Sequence, residues 1–128
     1  MTVDYGPWTS DLGLSSFPYS RLPLQMIVVL ATIELQPGKR EDFLREFRLI
    51  VPKVRAEQGC IEYFPAVDQA SGLPVQGSLR DDVVVVIEKW ESISALETHL
   101  IAPHMMEYRP KVKEFVKRVG LQILSPAE

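Results

Sequence analysis

The side chains best suited to acid–base chemistry in this sequence are its only two histidines, His99 and His104. Imidazole is the side chain whose ordinary pKa lies near neutral pH, so we predict that any proton transfer occurs around these two positions. They follow residues 88–92, Glu-Lys-Trp-Glu-Ser, which close a valine-rich run. On an uninterrupted helix, five residues would place the two rings about 140° apart. Pro103 lies between them, so the sequence leaves open whether they converge.

Five further side chains are candidates for contacting a bound substrate near the histidines: Tyr63, Glu88, Trp90, Met105 and Tyr108. Each also has a structural alternative. The rings could belong to the core and the methionine could fill a packing gap. A buried Glu88 must be paired, and we expect a basic side chain or a histidine as its partner. The histidines themselves could serve only to bind a backbone carbonyl or to cap a helix.

The first half of the chain predicts a strand, a helix and a strand. Ile27–Leu35 is rich in β-branched residues and reads as a strand. A helix is predicted over 39–57, because apolar residues recur at helical spacing at Phe43, Phe47, Ile50 and Val54. Pro52 predicts a kink or a break near Val51, and Gly59 is a suitable residue to end the helix. Residues 60–67 are predicted to form the second strand, followed by a long loop over 68–81.

The second half predicts a strand, two helical segments and a strand. Val83–Trp90 is the third strand. The next helix begins at Ser92 or at Ser94, the latter with Glu97 completing a capping box. A further helix is predicted from 104 to about 118, with Pro110 as a kink point, before Gly120 and a short strand over 121–124. The order β-α-β-β-α-β predicts an α+β, ferredoxin-like fold with one antiparallel sheet and its helices on one face.

The strands are apolar on both faces, which predicts a partner for the sheet. Val83, Val85 and Ile87 alternate with Val84, Val86 and Trp90. Helices on one side would leave the other side bare, and a patch of that size is rarely left in water. We therefore expect a homodimer formed through the sheet face.

Length, charge and composition indicate one domain over 26–125, preceded by an extension over 1–25. The extension is rich in Pro, Gly and Ser but holds four large aromatic side chains, which favours a packed arm: Tyr5, Trp8, Phe17 and Tyr19. A net charge of -3 gives no reason to expect nucleic-acid or membrane binding. The single cysteine excludes an internal disulfide and disfavours a thiolate metal site. No secretion signal is evident, so a cytoplasmic location is expected.

Several segments resemble the antibiotic biosynthesis monooxygenase domain family, small dimeric α+β barrel proteins that include quinol monooxygenases. The resemblance rests on residues 33–43 (IELQPGKREDF), 57–63 (EQGCIEY) and 88–91 (EKWE), and on His99-Leu100 and Pro103-His104. It covers about 26–124. It implies a cofactor-independent monooxygenase that oxidises a small phenolic or quinol-like substrate with dioxygen, with His99 or His104 as the base. No flavin and no metal would then be needed.

The family resemblance leaves other functions open, because it also includes isomerases and proteins without known activity. A non-catalytic dimeric domain that binds a small molecule is the main alternative. Heme degradation is not expected, because the positions that correspond to the heme-degrading branch hold Ala31, His99 and Arg109. The 68–81 loop and the arm are additions to the family pattern that could reshape the entrance of the pocket.

Overall fold

The computed structural model describes residues 26–127, so the predicted arm lies outside the described residues. The order of elements is four strands and three helices: β1 (Ile27–Leu35), α1 (Arg40–Arg55), β2 (Cys60–Ala66), β3 (Val83–Trp90), α2 (Ile93–Leu100), α3 (Pro103–Val112) and β4 (Val116–Leu124). In this part of the chain, no helix combines the length and the hydrophobicity needed to cross a membrane.

The four strands form one sheet in the order β2-β3-β1-β4. Every neighbouring pair is antiparallel. The fold is therefore the predicted ferredoxin-like α+β fold, in which each β-α-β unit places its second strand beyond a neighbour. The central strand β1 is paired along nearly its whole length, from Ile27 opposite Trp90 to Glu34 opposite Val83.

Strict alternation along the strands creates a covered face and an open face of the sheet. In β1 the odd-numbered residues are buried and the even-numbered ones are half-buried. In β3 the buried positions are Val84, Val86, Glu88 and Trp90. The predicted stripe of α1 packs against this covered face, with Phe43 and Val54 fully buried and Phe47 and Ile50 nearly so. The hydrophobic core therefore lies between the helices and one face of the sheet.

The proline in α1 does not break the helix, which runs without interruption from Arg40 to Arg55. Pro52 has no N–H to bond the carbonyl of Arg48, four residues earlier, yet the helix continues for one more turn beyond it. Gly59 also has a different role from the one predicted. The helix ends before it, and Gly59 adopts a positive φ of 88° in the turn that leads into β2. A Cβ at this position would lie 2.6 Å from the Cβ of Ala95, so the turn and α2 approach closely only because residue 59 is glycine.

The end of the chain differs most from the prediction. Helix α2 begins after Ser92, whose hydroxyl accepts a hydrogen bond from the Ala95 N–H, so Ser94 is not the cap. Helix α3 ends at Val112 and not near Arg118. Strand β4 is longer than expected, because it includes Val116 and continues through Gly120, which pairs with Thr32. Pairing with the central strand therefore outweighs the helical pattern over 116–118.

Strand β4 extends beyond the helical layer. Three of its side chains belong to the covered face by register with β1, yet they remain about half exposed: Val119 53%, Leu121 48% and Ile123 46%. The groove between this strand and α3 leaves room for the cavity described below.

Candidate active site

Both histidines contact one carboxylate, that of Glu57. The Nδ1 atom of His99 lies 3.0 Å from Oε2 and 3.2 Å from Oε1 of Glu57. The Nε2 atom of His104 lies 2.5 Å from the same Oε2. The two rings therefore do converge, through a shared acceptor, and the break at Pro103 between α2 and α3 makes this possible. Hydrogen bonds to a carboxylate are among the stronger ones in proteins.

Three elements hold this arrangement in place. Glu57 lies just beyond the end of α1, in the turn that Gly59 closes. His99 lies in the last turn of α2, and its ring is 2% exposed. The ring centroid of His99 is 4.7 Å from that of Trp90 and 5.4 Å from that of Tyr63. These two aromatic rings fix the orientation of the imidazole.

The environment of His99 favours a neutral imidazole. Burial lowers its pKa, while the hydrogen bond and the charge of Glu57 oppose that effect in part. A neutral ring that donates from Nδ1 to the carboxylate carries its lone pair on Nε2. Within residues 26–127, no protein group hydrogen-bonds that Nε2 atom, and the side chain lines a cavity. His99 is therefore oriented as a base toward the cavity.

The cavity lies between the covered face of the sheet and helices α1 and α3, and its volume is about 790 Å³. This is within the usual range for small-molecule sites, on the order of 300–1,000 Å³. Its wall is mostly apolar and aromatic, with Phe43, Phe47 and Val86 among the lining residues. Such a wall suits an aromatic molecule.

Glu88 is the second carboxyl group of the site, and its partner is not the predicted one. It is 5% exposed, lines the cavity, and accepts a 2.9 Å hydrogen bond from the Trp90 Nε1–H. Neither a basic side chain nor a histidine pairs with it in the described part of the chain. Burial raises the pKa of Glu88 to about 7, the indole hydrogen bond lowers it in part, and the charge of Glu57 raises it further. Glu88 therefore exchanges a proton near neutral pH.

The remaining predicted residues divide into two groups. Tyr63, Met105 and Tyr108 line the cavity with His99 and Glu88. Burial raises the pKa of both tyrosines, so both hydroxyls are protonated and can donate to a ligand. Trp90 and His104 are not lining residues: Trp90 is fully buried and contacts Glu88 and His99 from behind. His104 reaches the site only through Glu57.

Glu57 is the residue that the sequence reading missed. Nothing in the sequence relates Glu57 to histidines 42 and 47 positions away. Its place two residues before Gly59, in the predicted turn between the first helix and the second strand, is the one available signal. None of the residues of the 68–81 loop lines the cavity. Instead, the Asp68–Arg80 ion pair closes this loop on itself.

Over residues 26–127, no group of three or more His, Cys, Asp and Glu side chains has the arrangement of a metal site. Glu57, His99 and His104 form a hydrogen-bonded group. The carboxylate can orient His99 and balance the charge that a protonated imidazole would carry, in the way a buried acid orients the histidine of a hydrolytic triad.

The comparisons with known proteins agree on one family. Residues 26–111 match the family model described as "Antibiotic biosynthesis monooxygenase". The chain is 45% identical over 103 residues to a protein of Escherichia coli K12 named "Probable quinol monooxygenase YgiN", covering 79% of this chain and 98% of that protein.

Solved structures show the same fold. The crystal structure of PA3566 from Pseudomonas aeruginosa matches with a TM-score of 0.68 and 25% identity, covering 84% of this chain and 99% of that one. Rv0793 from Mycobacterium tuberculosis matches with a TM-score of 0.66 and 25% identity, covering 81% of this chain and 97% of that one.

Proposed function

Because the chain belongs to the antibiotic biosynthesis monooxygenase family, we propose that it is a monooxygenase that oxidises a small phenolic or quinol-like molecule with dioxygen, and that His99 is its base. The observation that supports this most directly is the geometry of His99. A buried imidazole, held at Nδ1 by Glu57, lines an apolar cavity of about 790 Å³, and no group of residues 26–127 hydrogen-bonds its Nε2 atom. The name of the Escherichia coli relative supports the substrate class.

The chemistry requires only a base and a dry cavity. His99 takes the proton of the substrate hydroxyl, and the resulting phenolate is electron-rich enough to pass electrons to dioxygen. For a phenol with a free ring position, one oxygen atom becomes the new quinone carbonyl and the other leaves as water. The balance is then phenol plus dioxygen giving quinone plus water, and the substrate itself supplies all four electrons. We propose that neither a flavin nor a metal takes part.

Glu57 and Glu88 support this reaction in different ways. The carboxylate of Glu57 stabilises His99 while the imidazole holds the substrate proton. Glu88 and the hydroxyls of Tyr63 and Tyr108 can donate hydrogen bonds to the substrate oxygens. We further propose that the active form is a homodimer joined through the open face of the sheet, where apolar side chains of β1, β2 and β3 remain half-buried.

The test is oxygen uptake with a panel of hydroquinones and phenols, for the wild-type protein and for His99→Gln and Glu57→Gln. We expect His99→Gln to lower the rate about 10²- to 10⁴-fold, the usual contribution of a general base. Since Glu57 raises the pKa of His99, Glu57→Gln should also move the acid limb of the pH–rate profile to lower pH. A purely structural role of Glu57 would not shift that limb.

Glu97→Gln is the matched control, because it makes the same substitution at an exposed position of the same helix as His99. It should leave both the rate and the profile unchanged. Oxygen uptake by His99→Gln equal to that of the wild type would refute the assignment of the base. Ligand binding without any oxygen uptake by the wild type would favour the non-catalytic binding domain instead.

A further inference from the structure

The ionisable side chains of the cavity wall are separated into two regions. Glu88 and His99 are 5% and 2% exposed and lie on the inner wall. Arg109 and Lys113 also line the cavity, but both are exposed, so they mark its mouth. Apolar and aromatic side chains make up most of the wall between these regions. A molecule that fills the cavity therefore meets a proton-transfer group at one end and positive charge at the other.

Among residues 26–127, no carboxylate pairs with Arg109 or Lys113. They lie one helical turn apart at the end of α3, on one side of the helix, where two like charges repel each other. The guanidinium of Arg109 contacts only the Met106 sulfur, at 3.4 Å, and over residues 26–127 neither cation takes part in an ion pair. Lys111 of the same helix does not line the cavity, and Glu107 precedes it by one turn.

We infer that the substrate carries a carboxylate, which Arg109 and Lys113 bind at the cavity mouth while the hydroxyl to be oxidised lies at His99. This inference rests on the proposed function and names the class of substrate: a hydroxylated aromatic acid with its two polar groups at opposite ends. A guanidinium fits a carboxylate with two parallel hydrogen bonds, and the carboxylate would relieve the repulsion between the two cations. A cavity of about 790 Å³ also has room for more than a single ring.

The experiment compares the binding of three probes that differ by one group each: 6-hydroxy-2-naphthoate, 2-naphthol and 2-naphthoate. Isothermal titration calorimetry near pH 7, without turnover, gives a dissociation constant for each. The ratio of the dissociation constants of 2-naphthol and 6-hydroxy-2-naphthoate measures the contribution of the carboxylate to binding. The ratio for 2-naphthoate and 6-hydroxy-2-naphthoate measures the contribution of the hydroxyl. We expect the carboxylate to tighten binding about tenfold or more at low ionic strength, as charged hydrogen bonds typically do. Added salt should reduce this gain, because the mouth is exposed.

Variants assign the effect to the two cations. Arg109→Gln/Lys113→Gln should bind 6-hydroxy-2-naphthoate and 2-naphthol within about threefold of each other, with little change for 2-naphthol. Lys111→Gln, the matched control on the same helix, should keep the full preference for the carboxylate. Thermal unfolding of each variant checks that its fold is intact.

The outcomes test two parts of the hypothesis separately: the anionic subsite at the cavity mouth and the placement of the hydroxyl at His99. Equal affinity of the wild type for 6-hydroxy-2-naphthoate and 2-naphthol, or an unchanged preference in the double variant, would overturn the inference. A carboxylate effect that depends on Arg109 and Lys113, without any contribution of the hydroxyl, would uphold the anionic subsite but contradict the placement of the hydroxyl at His99. A contribution of the hydroxyl without any effect of the carboxylate would uphold the placement of the hydroxyl at His99 but contradict the anionic subsite.

Discussion

Two carboxyl groups of the site, Glu57 and Glu88, differ in their partners and therefore in their chemistry. Glu57 accepts hydrogen bonds from two imidazoles. Within the described range 26–127, Glu88 accepts a hydrogen bond only from the indole N–H of Trp90, and it is more deeply buried than Glu57. Carboxyl groups in such different environments can take different roles at one pH. Here one is suited to orient a base, and the other, with its pKa raised to about 7, to donate a proton to a ligand oxygen.

The raised pKa of Glu88 makes the stability of the protein depend on pH. Between the ordinary pKa of 4.5 and about 7, the folded state holds a proton that the unfolded state has released. The free energy of unfolding therefore falls as pH rises through this window. Replacement by glutamine keeps an acceptor for Trp90 but removes the charge. We expect Glu88→Gln to match the wild type near pH 4.5 and to be more stable at pH 8, by about 3 kcal/mol at most.

Urea unfolding of the wild type and of Glu88→Gln from pH 4.5 to pH 8 provides the measurement. In the difference between their free energies of unfolding, the contributions of the other titrating groups cancel. Glu97→Gln, an exposed substitution of the same kind, should run parallel to the wild type at every pH. A Glu88→Gln curve that is also parallel to the wild type would show that Glu88 is ionised with an ordinary pKa in the folded protein.

At the scale of single residues, the sequence predicted which side chains lie along the cavity better than how they contact one another. His99, Tyr63, Glu88, Met105 and Tyr108 could be proposed from residue type and from their place in the elements. The common contact of His99 and His104 could not, because it depends on a glutamate from another element and on the angle between α2 and α3. The indole partner of Glu88 was missed since charged groups were expected to pair with charged or titratable ones.

Among the elements, the turn between α1 and β2 has the strictest requirement. It carries Glu57 and passes so close to α2 that a Cβ at Gly59 would lie 2.6 Å from the Cβ of Ala95. Gly59 also has a φ of 88°, in the left-handed region that side chains disfavour. The turn thus sets the distance between the carboxylate and the helix that carries His99.

We expect Gly59→Ala to destabilise the protein by about 3 kcal/mol, the sum of a positive-φ penalty and an overpacking penalty. Gly72→Ala separates the two, because Gly72 has a φ of 75° with nothing within 4 Å of an added Cβ. It should cost only about 1 kcal/mol. Chemical denaturation measures both. Equal losses for the two variants would show that the contact with Ala95 is relieved at no cost.

The elements themselves were predicted well where one physical effect dominates. The alternation in β1 and β3 and the apolar stripe of α1 correctly predicted which side chains of these elements are buried. The boundary between α3 and β4 was wrong because residues 113–118 contain no proline or glycine that would end a helix. There the pairing of Val116 and Arg118 with Leu35 and Glu34 decides the structure, and such pairing is not visible in a local sequence pattern.

For the whole molecule, the open face of the sheet is the feature that calls for a partner. Apolar side chains of three strands lie on it and remain half-buried in the single chain: Val28, Leu30, Phe64, Val85 and Ile87. A second copy packed on this face would remove them from water, and its own open face would be covered by the same contact. This argument requires only the alternation of the strands and the position of the helices.

We expect light scattering at micromolar concentration to give about 29 kDa, twice the 14.5 kDa of the chain. Ile87→Lys places a charge in the middle of the open face and should reduce the mass to that of one chain, because an unpaired buried charge is costly. Leu49→Lys is the matched control: Leu49 is 64% exposed on α1, away from the sheet, and its variant should keep the dimer mass. A wild-type mass of one chain would contradict the dimer, and an Ile87→Lys protein of unchanged mass would place the interface elsewhere.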